Sequence, residues 1–335
     1  MRRIAVIGAG NWGTALAIVV ARGDHQVRIW SRNAAVVDSI NHEHVNSSYL
    51  TDAPIPDDVR ATEDLSAALA GAELIILAAP SHATRGLLET MASALRPEMI
   101  IVSATKGIEI ETGKRISQIV AEVIPELNRP RFVCLSGPSF AREVVDNHPT
   151  AVVAASDDRD ASRLVQSELS SDTLRIYTND DVIGVELGGS VKNVMAIAAG
   201  MVAGLGFGSN SIAALITRGL AEMTRLALRE GAKPETLMGL AGLGDLVLTC
   251  TGNLSRNRYV GQELGKGRRL DEITANLSEV AEGVKTTLAV KRLADRIGVE
   301  MPITNEVHGV LYEGKLASDA ANELMTRPLR EESNE

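Results

Sequence analysis

The sequence predicts an α/β fold: a doubly wound parallel sheet followed by an all-helical domain. Three observations carry that expectation. Short apolar runs of β character alternate with helical stretches through the first half of the chain, the pattern of βαβ units. Near residue 180 the strand signal fades and helical periodicity takes over. The 335 residues, at roughly 100–200 per domain, are enough for two cores.

In chain order, the β-type runs are residues 3–7, 26–30, 74–78, 99–103, 132–135, 151–155 and 174–177. Most are rich in Val and Ile, and several are continuously apolar, as strands covered on both faces should be. Helical patterns lie between them at 14–22, 81–95 and 113–123, which predicts helices on both faces of the sheet. Asp180-Asp181 could cap the first long helix of the second half, and Pro234 suits an early helical position. The domains are therefore expected at 1–179 and 180–327, with a polar tail at 328–335 that frays. No internal repeat or low-complexity segment is legible.

Composition excludes several classes of protein. Hydrophobic residues make up 45% and charged residues 23%, which rules out a disordered chain. A net charge of −9 with 3% aromatics argues against a nucleic-acid partner, because phosphate neutralisation needs basic surface. Cys134 and Cys250 lie far apart with no CxxC, so neither a disulfide framework nor a zinc site is expected, and the usage fits a reducing cytoplasm. No signal peptide is legible, since the apolar run after the basic start is broken by Gly8, Gly10 and Gly13. The longest uncharged apolar stretch, 194–208, is too short to span a bilayer and reads as a core helix running into a loop.

Gly8-Ala9-Gly10-Asn11-Trp12-Gly13 matches G-x-G-x-x-G between the first strand and the first helix, the context in which such a turn binds a dinucleotide. Gly8 permits the tight turn, Gly10 lets backbone N–H groups approach a pyrophosphate, and Gly13 lets the helix pack on the strand. The helix N-terminus then offers unpaired N–H groups and the positive end of its dipole to the phosphates. The plainer alternative is a glycine-rich turn that binds nothing. At the end of the second strand, Trp30-Ser31-Arg32-Asn33 lacks the carboxylate that usually holds an NAD ribose. Ser31 and Arg32 suit a 2′-phosphate instead, which favours NADP(H) over NAD(H); a solvated loop arginine would read the same way.

Several other residues could carry chemistry. Lys106, in Ala104-Thr105-Lys106-Gly107, follows a strand end on the crevice side of an open sheet. The next strand runs into Ser136-Gly137-Pro138-Ser139-Phe140-Ala141, where Ser139 could bind a ligand or cap the following helix. Lys192 sits in an apolar stretch beside Gly188-Gly189. A buried ammonium needs a partner or a lowered pKa, which acid–base lysines exploit, whereas a lysine at a helix edge merely snorkels. Asp245, in Ala241-Gly242-Leu243-Gly244-Asp245, is either a site carboxylate among small neighbours or a turn residue. Ser255-Arg256-Asn257-Arg258 could begin a helix whose N–H groups, with Arg256, hold a substrate phosphate, or could be a solvated face. The basic loop Lys266-Gly267-Arg268-Arg269 suggests no function. His42 and His44 share a face only in an extended segment and have no third ligand nearby, so no metal site is expected. His82 pairs with no nucleophile, and no strand end carries the G-x-S-x-G elbow of a serine hydrolase.

Taken in order, the glycine turn at 8–13, Ala104-Thr105-Lys106-Gly107, Gly137-Pro138-Ser139-Phe140-Ala141, Lys192-Asn193, the segment ending in Asp245 and Ser255-Arg256-Asn257-Arg258 closely resemble the motif series of bacterial NAD(P)-dependent sn-glycerol-3-phosphate dehydrogenases. The resemblance runs from residue 4 to about residue 315. It implies a Rossmann domain followed by a helical domain similar to that of 6-phosphogluconate dehydrogenase, commonly in a homodimer. It implies reversible reduction of dihydroxyacetone phosphate to sn-glycerol 3-phosphate, feeding phospholipid synthesis. Lys192 then matches the proton acceptor and donor, and Lys106 a lysine near substrate and nicotinamide. Gly137, Ser139, Asp245, Ser255, Arg256 and Asn257 fall at substrate positions, with Arg256 also associated with the cofactor. Gly8, Gly10, Asn11, Trp12, Gly13, Arg32, Tyr49, Lys106, Ala141, Val280 and Glu282 fall at cofactor positions. Asn11 stands where other members carry Ser, which leaves the backbone N–H in place, and Ser139 where some carry Thr, which keeps the hydroxyl. Nothing in the residues themselves singles out Tyr49 or the 280–282 segment.

Two other readings compete. A related NADP-linked reductase of hydroxy acids or ketopantoate would leave Arg256 and Asn257 without a phosphate to hold. A non-enzymatic NADPH sensor would be expected to lose Lys106, Lys192 or Asp245, and all three are present.

Overall fold

The computed structural model describes residues 1–275, 281–329 and 331–332. The chain forms two compact units, Met1–Lys106 with Ile116–Val182, and Gly107–Arg115 with Ile183–Glu335. The excursion Gly107–Arg115 lies inside the sequence range expected for the first domain, yet belongs to the helical unit. The change of unit near residue 180 falls at Val182, where the strand signal fades.

The first unit is built on eight strands: β1 (Arg3–Ile7), β2 (Gln26–Trp30), β3 (Val59–Thr62), β4 (Leu74–Leu77), β5 (Ile100–Ser103), β6 (Arg131–Ser136), β7 (Thr150–Ala155) and β8 (Leu174–Asn179). Their order across the sheet is β3-β2-β1-β4-β5-β6-β7-β8. Every neighbouring pair is parallel except β6 and β7, which run antiparallel. The sheet is therefore the doubly wound, mainly parallel one expected from the sequence, with one antiparallel pair. The β6–β7 link, residues 137–149, carries only the short helix Ala141–Val145 in place of a full crossover helix.

The helices of this unit are α1 (Asn11–Ala21), α2 (Ala34–Glu43), α3 (Leu65–Leu69), α4 (Ser81–Met91), α5 (Ile116–Val123), α6 (Ala141–Val145) and α7 (Arg159–Leu169). Strand β1 shows why its sequence is apolar from Ile4 to Ile7. Ile4 and Val6 enter one core with Leu16 and Ile18 of α1, while Ala5 and Ile7 enter another with Leu77, Leu88 and Ile119. Each Ile or Leu buried in this way contributes roughly 1.5–3 kcal/mol. Three helix boundaries differ from the sequence pattern. α1 starts at Asn11, not 14, because Gly10 is its N-cap and the motif itself forms the first turn. α4 stops at Met91, short of 95, and α5 starts only at Ile116 because 113–115 belong to the excursion. α2 and the edge strand β3 were not anticipated; β3 is four residues long and turns Arg60 outward, so it offers no apolar run.

The second unit begins with α8 (Val182–Gly204), directly after Asp180-Asp181. It continues with α9 (Ser209–Arg229), α10 (Pro234–Met238), five residues of π-helix (Leu240–Gly244), α11 (Asp245–Thr251) and α12 (Arg256–Gly265). Then follow α13 (Leu270–Ala275), α14 (Glu282–Ile297), α15 (Pro302–Tyr312) and α16 (Ala317–Thr326). Pro234 occupies the first position of α10, where its missing N–H costs nothing. Among the described residues α8 is long and apolar enough to cross a membrane, but 94% of its most apolar window is buried within the protein. Val191, Met195 and Ile197 of α8 share one core with Leu226, Leu246, Val260, Leu293 and Val307, and Ile108 of the excursion joins them.

Helices α8 and α12 touch backbone to backbone. A Cβ on Gly200 would lie 2.0 Å from the Arg258 carbonyl oxygen, and one on Gly261 would lie 1.9 Å from that of Ile197. This contact fixes the start of α12 against the middle of α8, and both carry candidate residues.

Candidate active site

In the sheet unit, β1 sits where the strand order reverses, between β2 and β4, and the glycine turn leaves its carboxyl end. Ligands of open α/β sheets bind at such a switch point. Gly8 has φ +115°, a conformation that excludes side chains, and a Cβ there would meet the Ala78 carbonyl at 2.9 Å. A Cβ on Gly13 would lie 1.9 Å from the Gly8 carbonyl oxygen. Gly10, as N-cap of α1, has no side chain to cap the helix, so its first N–H groups face outward for an anion. The two glycines thus let the turn pack tightly against the end of β4 and itself, and the uncapped helix start fits a dinucleotide pyrophosphate.

The turn is held from behind. The buried Asn46 side chain donates to the Ala9 carbonyl at 2.9 Å and to Thr14 Oγ1 at 2.8 Å. Asn11 Oδ1 accepts the Leu50 N–H at 3.3 Å, and the Tyr49 N–H donates to Asn46 Oδ1 at 3.1 Å, so Tyr49 is placed by the same turn. Trp12 packs half-buried on this core, and its indole N–H is buried without a hydrogen-bond partner. Ala141, at the start of α6, packs on the same core. Arg32 is exposed at the end of β2, beside Asn33, whose side chain caps α2.

A second group lies at the ends of β5 and β6. Lys106 Nζ donates to the Gly137 carbonyl at 3.2 Å, and Ser139 Oγ donates to the same oxygen at 3.0 Å. Gly137 has φ +141°, and a Cβ there would lie 2.9 Å from Val152 Cα. Ser139 therefore does not cap α6; Phe140 holds that position with no side-chain bond. Its hydroxyl turns instead toward Gly137 and Lys106.

In the helical unit, Lys192 of α8 is 5% exposed and Asp245 is 1% exposed, and the two form an ion pair. Lys192 Nζ also donates to Thr249 Oγ1 at 2.9 Å, and Thr249 Oγ1 donates to the Asp245 carbonyl at 2.6 Å. Lys192 is thus buried and paired, not snorkelling, and its partner Asp245 lies at the first position of α11, not in a turn. The π-helical turn just before it widens the backbone and lets Gly242 press against Leu237, with a virtual Cβ 2.0 Å from its carbonyl oxygen. Burial pushes the neighbouring Cys250 thiol up to about 12, against the opposing pull of Lys192 and Arg258, so it is inert as a nucleophile.

Next to Lys192, Asn193 Oδ1 accepts Asn257 Nδ2 at 3.0 Å, and Asn257 Oδ1 accepts the Gly283 N–H at 2.9 Å. Asn257 thereby ties α8 to the start of α14, one residue beyond Glu282. Ser255 is the N-cap of α12, its Oγ accepting the Arg258 N–H at 3.2 Å. Arg256 stands exposed at the first position of that helix. Val280 lies outside the described residues. Sequence reasoning missed Thr249, Asn46 and the bridging role of Asn193. His42 and His44 lie at the end of α2, and among the described residues no group of three His, Cys, Asp or Glu could hold a metal.

Models of the NAD-dependent glycerol-3-phosphate dehydrogenase N-terminus and C-terminus match residues 3–162 and 181–322. A glycerol-3-phosphate dehydrogenase [NAD(P)+] from Koribacter versatilis is 55% identical over 330 residues, covering 98% of each chain. One from Myxococcus xanthus is 51% identical over the same length and coverage. The crystal structure of a glycerol-3-phosphate dehydrogenase from Coxiella burnetii is 44% identical, with a TM-score of 0.94 over 97% of this chain and 99% of that one.

Proposed function

The chain belongs to the NAD-dependent glycerol-3-phosphate dehydrogenase family, and from that premise we propose how its residues divide the work. The enzyme is an NAD(P)-dependent oxidoreductase that reversibly reduces dihydroxyacetone phosphate to sn-glycerol 3-phosphate. Relatives at 51–55% identity over nearly the whole chain support this reaction over that of a hydroxy-acid or ketopantoate reductase.

When bound, the nicotinamide supplies or accepts the hydride. Gly8, Gly10, Asn11, Trp12 and Gly13 hold the pyrophosphate at the α1 N-terminus, with Tyr49 and Ala141 completing that wall. Arg32, exposed after β2, would hold a 2′-phosphate on the adenosine ribose, so NADP(H) is the favoured cofactor. Val280, Glu282 and Arg256 complete the cofactor set on the same family resemblance. In the helical unit, Arg256, Asn257, Ser255 and the N–H groups at the start of α12 take the substrate phosphate, so binding energy far from the carbonyl orients it. Lys192, as ammonium, gives its proton to the developing alkoxide, and takes it back in the oxidative direction. Asp245 supplies the countercharge that allows the ammonium to be buried, and Thr249 fixes its direction. Lys106, with Gly137 and Ser139, adds positive charge for the reacting oxygen. On the same resemblance the domains divide as a dinucleotide domain, 1–179, and a substrate domain, 180–327, in a cytoplasmic homodimer.

The observation that carries this reading is the buried Lys192–Asp245 pair. Its test is oxidation of NADPH by purified protein with dihydroxyacetone phosphate, run beside Lys192→Ala. We expect the variant to lose at least about a hundredfold in kcat, the scale of an acid–base group. Near-normal kcat would remove Lys192 from the role. Arg32→Ala should lower kcat/KM for NADPH by about tenfold, the scale of a lost charge-assisted contact, and leave that for NADH unchanged. Equal losses with the two cofactors would end the 2′-phosphate assignment.

A further inference from the structure

Lys106 is followed at once by the segment Gly107–Arg115, which belongs to the helical unit although it interrupts the sheet unit. The segment closes on itself. The Gly113 N–H donates to the Glu109 carbonyl at 2.8 Å, and the Glu109 N–H to the Lys114 carbonyl at 3.0 Å. It is then fastened at three points. Ile108 is buried in the helical core. Arg296 of α14 donates to the Thr112 carbonyl at 2.7 Å, its guanidinium lying against Gly113, where a Cβ would come within 2.7 Å. Arg115 and Glu186 of α8 form a buried ion pair at 2.8 Å, with side chains 10% and 4% exposed.

A buried ion pair seldom adds much to stability over an apolar pair of the same size, so its presence calls for another explanation. Glu186 lies six residues before Lys192 on the same helix, about 9 Å along its axis. The segment clamped to it starts one peptide bond after Lys106. We propose that the Arg115–Glu186 pair is a positioning device for the known reaction. It fixes the segment that begins one peptide bond after Lys106 to the helix that carries Lys192. In this role Arg115 and Glu186 are positioning residues that act through Lys106. The proposal rests on the catalytic reading of Lys106 given above.

The test is kinetic and uses the full-length enzyme. In Arg115→Met and Glu186→Gln, kcat should fall roughly ten- to a hundredfold, the scale of a small misplacement of a reacting group. The dissociation constant for NADPH, set by the glycine turn, should stay within about twofold. NADPH deuterated at the transferred position should give a larger isotope effect on kcat than in the parent, as hydride transfer becomes limiting. Arg115→Lys, which keeps the charge, should recover most of the loss. Because a single variant leaves one charge buried alone and can unfold the chain, the double variant R115M/E186M decides the matter. It should fold with parental cooperativity and keep the kinetic defect. Placed on Lys106→Ala, it should cost little more than Lys106→Ala alone, since the two act in series. Parental kcat and KM in R115M/E186M, or full additivity with Lys106→Ala, would overturn the proposal. Parental kcat in Lys106→Ala itself would instead sink the reading of Lys106 on which it rests.

Discussion

At the scale of single residues, the central fact is an ion pair enclosed within the helical unit. Lys192 and Asp245 are both almost wholly buried, and each is the other's countercharge. Removing one member leaves the other buried alone, which typically costs about 3–5 kcal/mol. We therefore expect Asp245→Asn to be strongly destabilised in chemical denaturation and to lose kcat as well. K192M/D245L, which exchanges the pair for apolar groups, should recover the stability and remain inactive. A double variant as unstable as Asp245→Asn would show that the pair holds the fold together beyond its mutual charge. Lys192 and Asp245 were legible in the sequence because each is a lone charge in an apolar run. Thr249 was not, although it lies one helical turn after Asp245, the spacing at which helix residues share a face. Asn46 carried no signal, because its meaning is a contact with Ala9 and Thr14 more than thirty residues away in sequence.

At the scale of elements, the placing of the proposed phosphate-binding residues depends on how closely α12 lies on α8. Gly200 and Gly204 of α8 face Gly261 and Gly265 of α12, and in each case a Cβ would fall within 2.6 Å of the partner's backbone. Gly261→Ala must push the helices apart, because the obstacle is a carbonyl oxygen of Ile197 and not a movable side chain. Overpacking of this kind typically costs about 1–3 kcal/mol. The start of α12 would shift with it, carrying Arg256 and Asn257. We expect a lower melting temperature together with a higher KM for dihydroxyacetone phosphate and an unchanged affinity for NADPH. An unchanged KM in a folded variant would detach Arg256 and Asn257 from the phosphate. The strand–helix alternation was legible because β1, β4 and β5 are buried on both faces and read as apolar runs. β3 was not, since an edge strand with Arg60 turned outward satisfies its apolar needs at only two positions, Val59 and Ala61. The π-helical turn before Asp245 was equally hidden, because its residues are those of an ordinary glycine-rich helix start.

At the scale of the whole molecule, stability against pH is coupled to one buried carboxyl group of the helical unit. Glu222 of α9 is buried and accepts the N–H groups of Ile303 and Thr304 at the start of α15, together with the Thr304 hydroxyl. Burial raises its pKa from 4.5 to about 7, a rise that the two N–H groups and the charge of Arg225 oppose without cancelling. The folded state thus binds this proton more tightly than the unfolded chain does. Its contribution is fully present below pH 4.5, is lost as pH rises through 7, and amounts to about 3 kcal/mol, on the relation of about 1.4 kcal/mol per unit. Gln at 222 keeps an acceptor for Ile303 and cannot titrate. Thermal melts of the parent and Glu222→Gln between pH 5 and 8 should therefore converge as pH rises, the parent losing a few degrees that the variant does not. The carboxyl joins two helices of the helical core, so the loss should appear in the cooperative melt of that core and not as fraying of a terminus. Parallel profiles across this range would mean that Glu222 stays ionised in the folded state. The helix N-terminus would then be supporting the charge despite its burial.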